Sequence, residues 1–127
     1  MARHQRERGS ATTELVIVTP VLLLLIMMII QFGIWYHASH VAQAAAQEGV
    51  RTVRVEAGTA SAGKLRAERF VSSAAPTLLV DVNVDATRTA NTARVDVTAT
   101  VRSIVPGLSL PVHAHAESTL ESFKADQ

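Results

Sequence analysis

The sequence lacks cysteine altogether, and it has little net charge and few aromatic residues. Without cysteine the chain cannot form a disulfide, a cysteine zinc site or a cysteine nucleophile. Twelve Lys and Arg against eleven Asp and Glu leave a formal net charge of +1, which predicts no binding of nucleic acid. Hydrophobic residues make up 48% of the 127 residues, which excludes a disordered chain. The chain is therefore long enough for one small domain that depends on its apolar core.

Charge is also missing from one long internal stretch. No Asp, Glu, Lys or Arg occurs at the 33 positions between Glu14 and Glu48. Within it, residues 15–36 are almost continuously apolar, and as a helix they would span ~33 Å, close to the ~30 Å hydrocarbon core of a bilayer. Pro20 lies near the start of this span, where a missing N–H costs least. Arginines precede the span and aromatic residues end it, so the pattern predicts a single-pass protein of the cytoplasmic membrane with its N-terminus in the cytoplasm.

The helix is predicted to continue beyond the membrane. Residues 37–57 contain no proline and are rich in alanine, so one long helix is expected over residues 10–57. Small residues at helical spacing along its outer half permit a close approach to a neighbouring helix or sheet. This stripe consists of Ala38, Ala42, Ala46, Gly49 or Val50, and Val53.

Residues 58–127 are predicted to form a small extracytoplasmic domain that makes the whole chain α+β. A short second helix is expected over residues 62–75, because Pro76 ends it and apolar residues recur near one face. That face is predicted to contain Leu65, Arg69, Phe70 and Val71.

Three alternating runs follow the second helix, at residues 80–85, 95–102 and 112–117. Each run places apolar side chains on one face and polar side chains on the other, which predicts a small three-stranded antiparallel sheet with the helices on its apolar face. The polar residues 86–93 and the pair Pro106-Gly107 are the expected connections.

The most informative motif lies directly before the apolar span. It reads Arg8-Gly9-Ser10-Ala11-Thr12-Thr13-Glu14, and the apolar run that follows contains Pro20 and the sequence Gln31-Phe32-Gly33. A small residue before a potential cut site and a carboxylate at the fifth position of the product resemble a type IV prepilin leader. Residues 8–50 resemble the TadE-like pseudopilins of tight-adherence (Flp-type) pilus systems.

The resemblance implies a processed structural subunit of a pilus or a related secretion apparatus. A prepilin peptidase would cut between Gly9 and Ser10 and remove the leader, residues 1–9. The implied partners are that peptidase, the major pilin, a sister pseudopilin and the inner-membrane assembly platform, with the membrane or a cell-surface pilus as the location.

Pro20 and Gly33 match helix features of the family. Ser10 and Gln31 depart from it, since relatives often have an apolar residue at the first position and an acid at the second.

The carboxylate of Glu14 is expected to have a partner or a function. An unpaired carboxylate at the edge of the hydrocarbon costs ~3 kcal/mol. After cleavage the new amine of Ser10 would lie one helical turn before Glu14, beside the positive end of the helix dipole. In an assembly, the amine of a neighbouring subunit could pair with Glu14 and set the register. The alternative is an ordinary acid at the headgroup level.

Two other interpretations of the N-terminal half stay open. The basic start, the apolar middle and the sequence Ala42-Gln43-Ala44 are compatible with a secretory signal peptide, whose product would be a secreted domain starting near residue 45. An uncleaved single-pass protein with an outer binding domain is the second alternative. N-terminal sequencing and intact mass distinguish these alternatives from a subunit that begins at Ser10.

No catalytic or metal site is expected, and no cofactor. His113, His115 and Glu117 share the wet face of the last strand, where side chains at this spacing diverge. His37 and His40 are expected as polar residues at the headgroup boundary. The run Asp81-x-Asn83-x-Asp85 opens like a calcium-binding loop, but Ala86 and Thr92 stand where that loop needs glycine and glutamate.

Overall fold

The computed structural model describes residues 2–55 and 57–120, with side chains from Gly9 onward. The elements follow in the order α1 (Ala2–Arg54), α2 (Ala60–Ala74), β1 (Leu79–Arg88), β2 (Thr92–Val101) and β3 (Leu110–Thr119). The three strands form one antiparallel sheet in the order β1-β2-β3. The predicted α+β fold, with a long first helix, a short second helix and a small sheet, is therefore confirmed. The end of the predicted outer domain, residues 121–127, lies outside the described residues.

Helix α1 is longer at its start and shorter at its end than the sequence predicted. It begins at Ala2, because the leader consists mostly of good helix formers and contains no proline. It ends at Arg54, where Arg51 and Arg54 in the last turn favour the negative end of the helix dipole. The guanidinium of Arg88 donates hydrogen bonds to the carbonyls of Val53, Val55 and Gly58. These bonds satisfy backbone carbonyls that the end of a helix leaves unpaired.

The outer half of α1 packs on the apolar face of the sheet, as predicted. All members of the small-residue stripe are buried, and Ala38, Ala42, Ala46 and Val53 are fully inaccessible to solvent. The stripe is wider than predicted, because Val41 and Ala45 are also buried. From the sheet, the core receives the inward-facing residues Ala93, Val95, Val97, Ala99, Val101, Val112 and Ala114.

Helices α1 and α2 cross where two glycines meet. A methyl group added to Gly63 would lie 2.1 Å from Cγ2 of Val53, and one added to Gly49 would lie 3.0 Å from the carbonyl oxygen of Gly63. Both distances are shorter than van der Waals contact, so neither glycine has room for a side chain without movement of its neighbours. The crossing therefore depends on the two backbones approaching each other directly.

The predicted packed face of α2 was partly wrong. Its buried residues are Gly63, Ala67 and Val71, whereas Leu65 is 47% exposed and Arg69 is exposed. These buried positions are four residues apart on one face of α2, and the close crossing leaves room there only for small side chains. Helix α2 begins at a cap that the sequence analysis did not specify, where the Thr59 side chain accepts a 3.0 Å bond from the backbone N–H of Ala62.

Strand β1 does not keep the simple alternation predicted for Val80, Val82 and Val84. Only Val84 of these three is buried, and the inward-facing position near the strand start belongs to Leu79. Between the pairs Val80↔Thr100 and Asn83↔Thr98 the register shifts, so that two residues of β1 oppose one of β2. This is a β-bulge, and Asp81 within it has a positive φ of 52°. The extra residue turns the following side chains to the other face.

The first hairpin turn is shorter than the predicted residues 86–93. Strands β1 and β2 extend to Arg88 and from Thr92, so only residues 89–91 connect them. The backbone N–H of Thr89 donates to the carbonyl of Thr92 at 2.8 Å, and the Thr89 hydroxyl accepts from the N–H of Thr92 at 3.0 Å. The polar character of residues 86–93 reflects the wet face of paired strands as well as the turn itself.

The second connection, between β2 and β3, forms a turn at the predicted Pro106-Gly107. The N–H of Leu108 donates to the carbonyl of Val105 at 3.3 Å, and Gly107 has a φ of +79°. Proline followed by a residue with positive φ is the pattern of a type II turn, which favours glycine at the second position.

The outer edge of β3 lies against α1. The Trp35 indole donates to the carbonyl of Pro111 at 3.4 Å, and the Gln43 side-chain amide donates to the carbonyl of His115 at 3.0 Å. Because β3 is at the edge of the sheet, side chains of α1 bind backbone carbonyls there. The strand therefore runs along the helix in the same direction, starting beside Trp35.

We expect Gly63→Ala to lower the free energy of unfolding by about 1–3 kcal/mol, because the added methyl group overlaps Val53 at a crossing that cannot widen without loss of packing. The measurement is thermal or denaturant unfolding of the full chain in detergent micelles, followed by circular dichroism. Gly33→Ala is the matched control, since an added methyl group there meets no atom within 4 Å. Equal stability of both variants would contradict the described crossing.

Candidate functional site

The predicted processing site lies on the exposed N-terminal part of α1. Gly9, Ser10 and Glu14 all have exposed side chains or surfaces and follow one another within two helical turns. The hydroxyl of Thr13 donates a 2.8 Å hydrogen bond to the carbonyl oxygen of Gly9, which is the carbonyl of the predicted scissile bond. In this conformation the Gly9–Ser10 peptide bond is part of a continuous helix, so a peptidase would have to unwind the helix locally to reach it.

Two glycines of the predicted motif are not required by the packing of the chain. Side chains built at Gly9 or at Gly33 would meet no atom within 4 Å, and both residues lie inside α1. Glycine within a helix costs about 1 kcal/mol relative to alanine. This cost has no compensating contact among the described residues, so the two positions are open to partners of the chain.

The predicted membrane span presents an apolar surface in all directions. Large apolar side chains from Leu15 to Ile30 are mostly 45–68% exposed, and only 6% of the most apolar stretch of the helix is buried within the protein. A core helix of a water-soluble protein would bury most of such a surface. The helix is long and apolar enough to cross a membrane.

Pro20 lies near the start of the apolar span but in the interior of α1, because the helix begins well before the span. Helix α1 starts at Ala2 and passes through Pro20 without a break. Proline has no N–H, so the carbonyl of Val16 lacks its usual intrahelical donor. Position 20 is therefore a local weak point within the apolar segment.

Gln31 makes a contact with the β2–β3 connection that was not predicted from the sequence. Gln31 is only 1% exposed, and its Oε1 accepts hydrogen bonds from the backbone N–H of Ile104 at 2.9 Å and from the Ser103 hydroxyl at 3.1 Å. The side-chain nitrogen Nε2 has no hydrogen-bond partner. The motif Gln31-Phe32-Gly33 therefore attaches the β2–β3 connection to the helix. Only the polar character of Gln31 within an apolar run could have indicated this contact.

A shallow apolar cavity lies beside this contact. Its lining consists of Met28, Gln31, Phe32, Trp35, Leu108 and Leu110. The aromatic residues predicted to end the span lie close to one another, with ring centroids 6.0 Å apart for Phe32 and Trp35. Farther along α1, the rings of Tyr36 and His40 are 4.5 Å apart in an edge-on arrangement. His37 and His40 are both exposed.

The histidines of β3 lie on the wet face of the sheet, as predicted. The rings of His113 and His115 are 6.2 Å apart, and Nε2 of His113 is 3.7 Å from Oδ1 of Asp96 on β2. Among the residues that the structure describes, no group of three or more His, Asp or Glu side chains could hold a metal ion. The arrangement is a surface ion-pair network.

The centre of that network is the bidentate pair of Arg94 and Asp96. Nε and Nη2 of Arg94 donate to the two carboxylate oxygens of Asp96 at 2.8 and 3.0 Å. This hydrogen bonding lowers the pKa of Asp96 below its ordinary value, and the positive charge of Arg94 adds to the effect. Glu117 lies 3.7 Å from Arg94 at the outer side of the pair.

Comparison with known proteins gives one result, which concerns the N-terminal part of the chain. The family model described as "TadE-like protein" matches residues 9–51. This segment is TadE-like. The match begins at Gly9, includes the apolar span and ends within the part of α1 that packs on the sheet. It confirms the resemblance predicted from the leader motif and supports an association with tight-adherence pili. No curated protein and no solved structure matches the chain.

The TadE-like segment and the rest of the chain meet along α1. The last third of the matched residues contains the small-residue stripe except for Val53, so the segment supplies the apolar span and most of the helix face on which the sheet packs. The α2 helix and the sheet lie beyond the match. The family resemblance thus covers the membrane-facing helix, while the outer domain is characterised by its structure alone.

We expect stability to fall at low pH through Asp96. The pKa of Asp96 is lower in the folded chain than in the unfolded one, so its stabilising contribution is present above the unfolded pKa and is lost as the pH falls through the folded value. In Asp96→Asn, the drop in unfolding temperature between pH 7 and about pH 3 should therefore be smaller than in the wild type. Glu68→Gln, which removes an acid on α2, is the control and should keep the wild-type drop. An unchanged drop in Asp96→Asn would contradict the assignment.

Proposed function

We propose that this chain is a TadE-like minor pseudopilin, a structural subunit of a tight-adherence (Flp-type) pilus or a related secretion apparatus. The observation that carries the proposal is one uninterrupted helix that is TadE-like over residues 9–51. Its first half exposes apolar side chains on all sides, and its second half carries a folded domain. Such a subunit acts by assembly and not by turnover, and we expect no catalytic activity and no cofactor.

The proposed cycle follows from the apolar surface of the span. In the cytoplasmic membrane, lipid covers residues 15–36, with the N-terminus in the cytoplasm and the sheet outside. Outside lipid, the same surface has to be covered by helices of neighbouring subunits, since its exposure to water costs about 25 cal/mol for each Å². Exchange of lipid for sister helices therefore favours assembly. The major pilin, a sister pseudopilin and the inner-membrane assembly platform are the proposed partners.

Processing between Gly9 and Ser10 by a prepilin peptidase is part of the proposal. A side chain built at Gly9 would meet no atom within 4 Å, and glycine lowers the cost of unwinding the helix around the bond that is cut. The cut would create a positively charged amine at Ser10, one turn from the exposed Glu14. We propose that Glu14 pairs with such an amine, on the same or a neighbouring subunit, and sets the axial register of assembly.

The structure disfavours the signal-peptide alternative, but it is equally compatible with an uncleaved single-pass protein. Signal-peptide cleavage near Ala42-Gln43-Ala44 would remove Ala38, Val41 and Ala42, all of which are buried between α1 and the sheet. The secreted product would lack part of its core, so this alternative is disfavoured. An uncleaved single-pass protein would have the same fold as the proposed precursor, and only the mature N-terminus separates the two.

Gly9→Arg and Gly9→Asp should block processing, because a peptidase site that accepts glycine excludes a large charged side chain. The chain is expressed in cells together with a prepilin peptidase, and intact mass and N-terminal sequence are measured in membrane and sheared-surface fractions. The wild type should begin at Ser10, and both variants should retain residues 1–9. Ala90→Arg, which adds the same charge in the exposed hairpin turn, should be processed normally. Variants that still lose residues 1–9 would exclude this cut site.

Glu14→Ala and Glu14→Gln should be cleaved like the wild type but should be absent from the sheared-surface fraction, because they lack the negative charge that pairs with the amine. Glu14→Asp keeps the charge and should restore part of the assembled material. The readout is the ratio of processed subunit in the sheared and membrane fractions. Normal assembly of Glu14→Gln would show that the charge of Glu14 is dispensable.

A further inference from the structure

The β2–β3 connection, residues 102–109, is attached to α1 inside the apolar stretch and not beyond it. Two of its groups, the N–H of Ile104 and the hydroxyl of Ser103, bind Oε1 of Gln31. Leu108 and the first residue of β3, Leu110, line a cavity together with Met28 and Phe32 of the helix. The connection is therefore held at a fixed height along the helix.

The position of this attachment point along α1 can be compared with the thickness of the hydrocarbon core of a bilayer. Residues 15–30 lie before the attachment point and extend over about 24 Å as a helix, which is less than the ~30 Å hydrocarbon core. The span cannot gain length by moving Glu14 inward without placing a carboxylate in hydrocarbon, at a cost of ~3 kcal/mol. Any tilt of the helix makes the shortfall larger. Residues up to about 34 must therefore lie within the hydrocarbon, and the connection attached at Gln31 lies there with them.

The composition of the connection fits this position. Apart from Arg102, where the connection leaves β2, it contains no Asp, Glu, Lys or Arg, and none occurs from Ser103 to Ala116. Ile104 is 45% exposed although it is a large apolar residue, and Val105 and Leu108 are half-buried beside it. The connection thus presents apolar side chains at the end of the domain that is nearest to the apolar span.

Three backbone N–H groups in the connection have partners within the protein, as contact with lipid requires, because N–H groups find no water there. The N–H of Ile104 donates to Gln31, that of Val105 donates to the Ser103 hydroxyl at 3.1 Å, and that of Leu108 donates to the Val105 carbonyl. Pro106 has no N–H. These groups are satisfied without solvent.

From these observations we infer that the β2–β3 connection inserts into the outer leaflet of the same bilayer that α1 spans, with Ile104 in contact with lipid. The domain is then attached to the membrane at two places, the helix and this connection. The opposite end of the domain, with the β1–β2 turn, lies near the end of α1 at Arg54, about 35 Å farther along the helix. The inference depends on membrane insertion of α1 and not on a role in a pilus.

The absence of cysteine permits a direct test with single-cysteine variants of the full chain. Ile104→Cys carries an environment-sensitive fluorophore in the connection, Ala90→Cys carries it in the distant exposed turn, and Leu23→Cys carries it in the middle of the apolar span. Each variant is reconstituted at one copy per nanodisc of phosphatidylethanolamine and phosphatidylglycerol. Quenching is measured with aqueous iodide and with lipids that carry a spin label near the headgroup.

At position 104 the label should emit at shorter wavelength than at position 90, resist iodide and be quenched by the spin-labelled lipid. The label at position 90 should show the opposite behaviour. A label at position 104 that iodide quenches as strongly as the label at position 90 would overturn the inference, provided that the label at position 23 is protected. Protection of position 104 only when several copies share a disc would also overturn it, because the covering partner would then be a second copy. Loss of protection at position 23 would instead show that α1 does not span the bilayer.

Discussion

The packing of α1 on the sheet through small side chains is the contact on which the rest of the structure depends. Alanine and glycine let the helix backbone lie close to the inward valines of β2 and β3, and the same closeness at Gly49 and Gly63 brings in α2. A larger residue at any of these positions would separate layers that have few large side chains to fill the gap. Because no disulfide is available, this contact joins the outer domain to the apolar span.

Since the helix is continuous, the two halves of the chain cannot move independently without bending it. The first half has no preferred apolar side and is suited to lipid or to a bundle of similar helices. The second half is one-sided and is suited to the sheet. The TadE-like match covers the border between these two parts of the helix. The outer domain adds a polar sheet face on which Asp96 and Glu117 both pair with Arg94.

Most of the fold could be predicted from the sequence, because the hydrophobic period and the composition of a segment depend only on residues that are close in the chain. The charge-free run, the small-residue stripe of α1 and the alternation in β2 and β3 each follow from side chains a few residues apart. Features that depend on contacts between distant segments could not be predicted in this way. The bulge at Asp81 changed which residues of β1 face inward, and the glycine crossing replaced Leu65 by Ala67 on the packed face of α2.

In the candidate site, too, local sequence patterns were predicted and a contact between distant segments was not. The leader motif and the span are local patterns and were found from residues 8–50, whereas the bond between Gln31 and Ile104 joins segments 73 residues apart. Its only trace in the sequence is a polar side chain in an apolar run. The start of α1 at Ala2 was also missed, because a motif read as a separate leader is made of residues that readily continue a helix.

The hydrogen bonds that Trp35 and Gln43 donate to the carbonyls of Pro111 and His115 have a consequence for self-association. An open sheet edge is a template on which another chain can add a strand, and repeated addition leads to fibres. Here one of the two edges is already engaged by helix side chains and carries a proline. Addition of a strand at β3 would have to displace these hydrogen bonds, so this edge is less available to another chain than an edge without them.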